Sequence, residues 1–361
     1  MFAIAWSKLA ERNSVQEDDA KSSEQWRKIA RYAVSCPSPH NTQPFRLRIL
    51  SDPEAEIVFL PRRGLYVADP EGRFTWLTAG IFAEICSIAA HGLGFELDCA
   101  TDFSPMYKGG DTQTPQVISR LTLRPAIAPI ADFDPRLILD RHTSRLPYDG
   151  RAIPQTLLGE MQAEALRTGH RFEARNDAEA IDWVIELNRQ ALFHDMENVP
   201  IRKELVRWLR FGTREEDITG DGLSARCLGF SAFLLKSFFT RPGFWTLPGI
   251  KSLVGLIYGR SMKGVGTIGW LRGPYVTMED WFRAGTTMFR LWLIVTRHGY
   301  YWQPYGSVIT SDEARTNMIG YFRMPDEKGG ADMVWLLLRL GKSQPPPLSY
   351  RLPYEDIILC G

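Results

Sequence analysis

The sequence lacks the marks of several common protein classes. Its five cysteines contain no CxxC pair and its six histidines show no metal-ligand spacing, which disfavours a disulfide framework and a metal site. The 43 basic and 42 acidic residues nearly cancel, so no long-range field attracts nucleic acid or an anionic membrane. No G-x-S-x-G elbow, H-E-x-x-H helix or Walker loop occurs. We therefore expect neither a hydrolase nor a metalloenzyme, and no nucleic-acid partner.

The sequence also lacks an uninterrupted apolar run of about 20 residues, so no transmembrane segment is expected. Residues 228–259 are rich in Phe, Trp, Leu and Ile, but Lys236, Arg241, Lys251 and two prolines interrupt them. We interpret this segment as two short buried helices; the alternatives are an apolar lid over a ligand pocket or a surface that touches lipid or a lipophilic substrate. The apolar run within residues 1–13 is too short for a signal peptide, so a cytoplasmic protein is expected.

What the sequence does contain is an internal repeat. The 361 residues, 44% of them hydrophobic, suffice for two domains or one large pseudo-symmetric one. Two segments, Trp76–Gly94 and Trp281–Gly299, are similar at an offset of 205 residues. Each begins with Trp, contains an Ala-Gly pair and an apolar stretch, and ends in Gly. This pattern predicts two buried helices, each approached closely by another backbone at Gly80 or Gly285 and capped by a left-handed glycine. Chance similarity between two apolar helices is the alternative.

Short strand-like runs surround these helices, at Phe45–Leu50, Glu56–Leu60 and Val334–Leu340. The Pro- and Asp-rich stretch Leu123–Pro135 is the predicted join between two parts of the chain. The fold class is therefore predicted as α+β.

The turn at residues 36–45 (CPSPHNTQPF) is the first candidate site. Its prolines stop a preceding helix, and the side chains that follow offer hydroxyl and amide groups on a rigid turn. Such a turn can hydrogen-bond a polar heterocycle. An ordinary connection between a helix and a strand is the alternative.

Two arginine-containing segments are the second and third candidates. Arg141 and Arg145 bracket the hydroxyl of Thr143 and form a cationic fork suited to a phosphate dianion. Arg351 follows the prolines at 345–347 and is a candidate for a second phosphate contact. A solvated charged turn and a tail docked on the surface are the respective alternatives.

These motifs together resemble those of the nitroreductase family. P-S-x-x-N-x-Q-P resembles its flavin-contacting turn, R-x-S/T-x-R its phosphate-binding entry motif, and R-x-P-x-E-D its C-terminal phosphate contact. The first part of this chain has the turn without a fork ahead of it, and the second has the fork without the turn. That division resembles the fused, double-length Acg-type branch, whose single chain mimics the family's dimer. Phe45 departs from the family pattern, which usually has Trp there.

The resemblance implies a nitroreductase-like fold with two related halves, residues 1–130 and 131–361, each with a mixed or antiparallel sheet packed by helices. It implies an FMN-dependent oxidoreductase with one FMN per chain, a small-molecule substrate and NADH or NADPH as a candidate electron donor. A monomeric pseudo-dimer or a homodimer would fit. No protein acid or base is assigned, because the flavin carries the chemistry.

The implied flavin contacts carry over motif by motif. The phosphate would be held by Arg141, Thr143, Arg145 and Arg351. The ring and ribityl chain would be lined by Ser38, His40, Asn41 and Gln43, with His40 acting through its backbone. The redox-active edge of the ring would be met by Pro304, Tyr305 and Gly306.

Two other interpretations remain open at this point. A flavin protein that stores FMN or senses redox state, closed by residues 228–259 as a lid, would bind the same cofactor without turnover. Gly264–Gly269 matches G-x-G-x-x-G, but a strand and loop rather than a helix are expected after it, which disfavours a dinucleotide fold.

Overall fold

The computed structural model describes residues 24–104, 112–130, 132–241, 243–244, 247–306, 312–322 and 332–359. Residues 1–13 lie outside the described residues, as do Pro242, one of the two prolines within residues 228–259, and Cys360, one of the five cysteines.

The first sheet is built almost entirely from the N-terminal part of the chain. Its elements, in chain order, are α1 (Glu24–Ala33), β1 (Phe45–Ile49), β2 (Glu54–Phe59), α2 (Arg73–Gly92), β3 (Phe95–Thr101) and β4 (Gln116–Pro125). The last strand of the chain, β11 (Ile358–Leu359), joins this sheet, whose order is β11-β1-β2-β4-β3. All pairs are antiparallel except β1 with β11. The sheet is therefore mixed and is completed by the opposite end of the polypeptide.

The second sheet is antiparallel and lies later in the chain. Its elements are α3 (Arg136–Asp140), α4 (Gln155–Arg167), β5 (Arg171–Arg175), β8 (Thr267–Gly273), α11 (Met278–Arg297), β9 (Tyr301–Pro304), α12 (Asp312–Phe322) and β10 (Met333–Gly341). The sheet order is β5-β8-β10-β9. The predicted strands in both sheets and the α+β class are confirmed. Strand β8 and the loop after it also confirm that no helix follows the G-x-G-x-x-G stretch.

The two sheets have the same succession of elements. In each, a helix precedes two strands, a long central helix follows, and two more strands complete the sheet, in the orders β1-β2-β4-β3 and β5-β8-β10-β9. One hydrophobic core includes residues of both sheets and of both long helices.

The long helices α2 and α11 contact each other more extensively than any other pair of elements. A Cβ built on Gly80 would lie 1.9 Å from the carbonyl oxygen of Phe282, and one on Gly285 would lie 1.9 Å from that of Leu77. The contact is reciprocal, since Leu77 and Phe282 are related by the same offset as the two glycines. The predicted close backbone approach at the Ala-Gly pairs is confirmed.

The repeat also predicted the ends of these helices and their burial. Gly94 and Gly299, which follow α2 and α11, have φ of +81° and +71°, as expected for left-handed caps. Helix α2 is long and apolar enough to cross a membrane by length and composition, but 78% of its apolar window is buried inside the protein. It is the core helix that the repeat predicts.

An insertion separates β5 from β8. It contains α5 (Ala178–Glu197), α6 (Val199–Trp208), β6 (Leu209–Arg210), α7 (Thr213–Thr219), β7 (Leu223–Ser224), α8 (Ala225–Leu228), α9 (Ala232–Thr240) and α10 (Ile250–Ser261). Helices α9 and α10 confirm the two short helices predicted within residues 228–259. Their predicted full burial is wrong: Phe233 is 65% exposed and Leu256 64% exposed. Each helix buries only part of its surface, through Leu235 and Phe238 on α9 and through Val254 and Tyr258 on α10.

Candidate functional site

A cavity of about 260 Å³ is lined by residues from both sides of the predicted join. The predicted residues that it brings together are Ser38, Asn41, Arg141, Thr143, Arg145 and Arg351. Sequence reasoning did not find the other polar groups in its wall, which include His142, Cys227 and Ser349. No carboxylate from the described part of the chain lines it.

Arg141 is the most deeply placed of the three arginines. It is 4% exposed and its guanidinium lies 4.3 Å from the centre of the Trp292 ring. One nitrogen donates to the carbonyl of Ser35 at 3.4 Å, and Nε is buried without a partner among the described residues. Burial and the charge of Arg351 lower the pKa of Arg141 to about 9. A buried cation in such surroundings is costly until an anion pairs with it.

Arg145 and Arg351 add to the positive charge of this cavity. Burial lowers the pKa of both guanidinium groups. Arg351 is oriented by hydrogen bonds of 2.8 Å to the carbonyl of Cys36 and to Oδ1 of Asn41. Within the described ranges, none of Arg141, Arg145 and Arg351 forms an ion pair with a carboxylate. The three side chains therefore form a cationic site that favours an anionic ligand.

The segment that carries Arg141 and Arg145 is fixed by a backbone bridge. The backbone of Thr143 forms an isolated parallel β-bridge with that of Trp302. Trp302 is the second residue of β9 and is fully buried. Thr143 lies in the cavity wall, as do Arg141 and Arg145 on either side of it in the sequence. The fork predicted from R-x-T-x-R is therefore held on the second sheet.

The backbone of the turn at residues 36–45 is strained. His40, Asn41 and Gln43 have φ of +51°, +54° and +49°. Such left-handed conformations of residues other than glycine cost on the order of 1 kcal/mol or more each and concentrate at functional sites. Hydrogen bonds compensate, because Ser38 Oγ accepts from the Gln43 amide at 2.9 Å and Arg46 donates to the Gln43 carbonyl at 2.8 Å.

The turn is also clamped by residues 220–222 of the insertion. Asn41 Nδ2 donates to the carbonyls of Gly222 and Tyr350 at 3.1 and 2.9 Å. Gln43 Nε2 donates to the carbonyl of Gly220 at 2.8 Å, and its Oε1 accepts from the amide of Leu352 at 3.2 Å. Both predicted amide side chains therefore bind protein groups, and Gln43 does not line the cavity.

Asp221 anchors this clamp. It pairs with Arg63 at 2.8 Å and with Arg210, and Arg63 also donates to the carbonyl of Thr42 at 2.7 Å. Sequence reasoning missed these residues. The Gly-Asp-Gly sequence at 220–222 signals a turn, but nothing in it indicates which distant segment the turn holds.

His40 lies in the turn but does not line the cavity. Burial and the charge of Arg145 lower the pKa of His40 to about 4, so its imidazole is neutral near pH 7. His142, in the cavity wall, likewise has its pKa lowered by burial and by Arg141. Neither imidazole adds positive charge to the site at neutral pH.

Pro304, Tyr305 and Gly306 do not line this cavity. Tyr305 is 2% exposed and belongs to a second hydrophobic cluster, where its hydroxyl contacts Sδ of Met262 at 3.4 Å. Its amide donates to the carbonyl of Leu337. Tyr305 therefore lies in the core beside β10, Pro304 and Gly306 are half-buried, and the predicted contact of this segment with the flavin ring stays a prediction.

Residues 228–259 also lie apart from the cavity, since none of those described lines its wall. The insertion reaches the cavity only through Leu223 and Cys227, which precede α9. The described residues of this segment thus form no lid over this cavity, and a lid over another part of a ligand pocket stays a prediction.

The composition of the cavity suits the phosphate end of a flavin. Arg141, with its unpartnered Nε, Arg145, Arg351 and Thr143 are residues of the kind that donate hydrogen bonds to a phosphate dianion. A volume of about 260 Å³ lies just below the range usual for whole organic ligands, so it accommodates the phosphate and the adjoining chain. The contacts predicted to the ring stay predictions.

No family model matches the chain. Two curated proteins from two strains of Mycobacterium tuberculosis, both provisionally named NAD(P)H nitroreductases, are 26% identical over 189 residues, which is 52% of this chain and 52% of each relative. The match thus spans about half the length of these relatives. These relatives confirm the predicted resemblance to nitroreductases.

The solved structures that the chain matches include two nitroreductases. One is the FMN-dependent nitroreductase NfnB of Mycobacterium smegmatis in complex with NADPH, with 15% identity and a TM-score of 0.36 over 58% of this chain and 86% of that one. The other is a nitroreductase with bound FMN from Bacteroides fragilis, with 11% identity and a TM-score of 0.34 over 60% of this chain and 92% of that one.

Proposed function

We propose that this chain, whose curated relatives are named nitroreductases, is an FMN-dependent oxidoreductase in which one FMN is bound between two parts of a single polypeptide. One observation carries the proposal. Three arginines from two distant segments of the chain line one cavity without a carboxylate partner among the described residues. A phosphate dianion supplies the missing negative charge.

Each part of the site then has a stated role. Arg141, Arg145 and Arg351 bind the phosphate, and Thr143 donates its hydroxyl. The strained turn beyond Ser38 presents its backbone toward the ribityl chain and ring. Bound FMN supplies hydride or electron transfer to or from a small organic substrate, while the protein contributes binding and orientation.

We also propose that residues 1–130 and 131–361 are related halves that form a pseudo-dimer. The matching strand orders of the two sheets, each with a long helix between its two pairs of strands, support this, as does the reciprocal contact at Gly80 and Gly285. The turn belongs to one half and the arginine fork to the other, so one complete site results. The names of the curated relatives support NADH or NADPH as the electron donor.

The phosphate assignment is tested with the double variant Arg141→Met/Arg145→Met. Each lost charge-assisted hydrogen bond is worth about 1.5–3 kcal/mol, so FMN affinity should fall at least a hundredfold. Arg151→Met is the matched control, because this nearby arginine side chain is 86% exposed and does not line the cavity. FMN retained on purification and the Kd from flavin fluorescence are measured. A double variant that remains fully loaded would refute the assignment.

Turnover is tested by anaerobic mixing of the flavin-loaded protein with NADH, NADPH and dithionite. Bleaching by a nicotinamide supports the reductase. Bleaching by dithionite alone contradicts a nicotinamide-dependent reductase and leaves FMN storage, redox sensing, or oxidation of a specific substrate.

A further inference from the structure

The later part of the insertion, together with β8 and the loop after it, has an unusual charge distribution. Between Asp221 and Glu279 there is no aspartate or glutamate, although the whole chain is nearly neutral. The same stretch contains seven basic residues, which are Arg226, Lys236, Arg241, Lys251, Arg260, Lys263 and Arg272. This stretch therefore has a local excess of positive charge that the net charge of the whole chain does not show.

This basic stretch also exposes large apolar side chains. Phe233 on α9 and Leu256 on α10 are about two-thirds exposed, while Leu247 and Leu253 are 51% and 37% exposed. The opposite sides of the two helices pack together in one small cluster with Met196. We call the exposed residues of α9 and α10, with those next to the two helices, the hairpin surface.

Most of the exposed cations on the hairpin surface are unpaired. Lys251 forms an ion pair with Glu197. Lys236, Arg241, Arg260 and Lys263 are exposed and take part in no ion pair among the described residues. The guanidinium of Arg241 lies 5.6 Å from the centre of the Phe233 ring, which places a cation directly beside an exposed aromatic side chain.

The hairpin surface combines exposed Phe and Leu with unpaired Lys and Arg, and this combination favours one kind of binding partner over the others. A second copy of this surface would bring like charges together, which is unfavourable. Nucleic acid would pair with the cations but would leave the apolar side chains in water. The interface of an anionic bilayer satisfies both, because acyl chains accept the apolar groups and lipid phosphates pair with the cations.

We propose that the hairpin surface docks this protein on membranes rich in anionic phospholipid. Phe233 and Leu256 enter the headgroup boundary, and Lys236, Arg241, Arg260 and Lys263 contact the headgroups. Each cation near such a surface raises affinity about fivefold, so the four together suffice for reversible binding. This docking does not depend on the proposed flavin function, since the hairpin surface lies apart from the cavity.

The test is co-sedimentation of the full chain with vesicles of phosphatidylcholine alone or mixed with phosphatidylglycerol. We expect binding only to the mixed vesicles, with loss at high salt as charges are screened. Phe233→Ser/Leu256→Ser and Lys236→Glu/Lys263→Glu should each weaken binding at least tenfold. Ile218→Ser and Arg124→Glu are the controls, because both residues are exposed outside the hairpin surface.

Thermal melting checks that each variant is folded, and flavin loading reports separately on the proposed cofactor site. Failure to bind the mixed vesicles, equal binding to neutral vesicles, or variants that bind as the wild type does would overturn the proposal. So would a dimer, detected by light scattering, that Phe233→Ser/Leu256→Ser dissociates, because the surface would then be covered by a second copy.

Discussion

Arg141 combines burial with the lack of a carboxylate partner among the described residues, an arrangement that favours ligand binding over stability. Its side chain donates only a long hydrogen bond of 3.4 Å, to the carbonyl of Ser35. Replacing a buried charge of this kind by an apolar side chain of similar length is often neutral or stabilising. In FMN-free protein, Arg141→Met should therefore leave the free energy of unfolding unchanged or raise it, as measured by urea denaturation.

Arg351→Met provides the contrast, because Arg351 makes two 2.8 Å hydrogen bonds to Cys36 and Asn41. This variant should lose about 1.5–3 kcal/mol. A loss of more than about 1 kcal/mol in Arg141→Met would show that Arg141 stabilises the fold instead of waiting for an anion.

The protonation of His40 makes the free energy of unfolding depend on pH, and the direction of this dependence can be predicted. Its pKa is lowered to about 4 in the folded protein, whereas an unfolded histidine titrates near 6.5. Between these values the unfolded chain binds more protons, so the contribution of His40 to stability is complete above pH 6.5 and is lost as pH falls to 4. From pH 7 to pH 5, the wild type should lose about 1 to 2 kcal/mol more than His40→Asn, in which asparagine tolerates the positive φ.

The comparison with His40→Asn removes the opposite effect of Asp69. Burial raises the pKa of Asp69 to about 6, so its contribution declines as pH rises through the same window, equally in both proteins. Urea denaturation at the two pH values supplies the free energies. Parallel losses in the two proteins would show that His40 is not the titrating group.

At the scale of elements, the crossing of α2 and α11 depends on two glycines. Gly285→Ala would place a Cβ 1.9 Å from a backbone oxygen that belongs to a packed helix and cannot move freely. We expect a loss of at least about 3 kcal/mol in the free energy of unfolding, or failure to fold. Chemical denaturation measures it.

Gly159→Ala is the matched control, because Gly159 lies inside α4 with nothing within 4 Å of the added methyl group. That variant should gain about 0.5–1 kcal/mol from helix propensity. Equal effects of the two substitutions would contradict the close approach of the helix backbones.

These elements also show what the sequence could predict. Local sequence pattern predicted the close approach at the Ala-Gly pairs, the helices, and the strands at 45–50, 56–60 and 334–340. This was possible because hydrophobic periodicity and turn residues can be recognised within a few neighbouring positions. The exposure of Phe233 and Leu256 did not, since an apolar segment packed on one side looks like a core segment when only composition is read.

For the whole molecule, the motifs identified the arginines and the turn, but not what holds them. The clamp by Gly220, Asp221 and Gly222 joins residues about 180 positions apart, as the Gln43 and Asn41 contacts show. Such pairings depend on tertiary packing that a single sequence does not encode locally. The placement of Tyr305 in the core beside β10 was likewise beyond reach, because its motif fits a ligand contact and a buried β-strand end equally well.

The central claim is that one cationic cavity, shared by two parts of the chain, binds one FMN. The most direct test is quantitative release of the cofactor from purified protein, with its identity by mass spectrometry and its amount per chain by absorbance. The account predicts FMN at one per chain, reduced to a small fraction in Arg141→Met/Arg145→Met. Two FMN per chain, or a protein that neither contains nor takes up flavin, would contradict it.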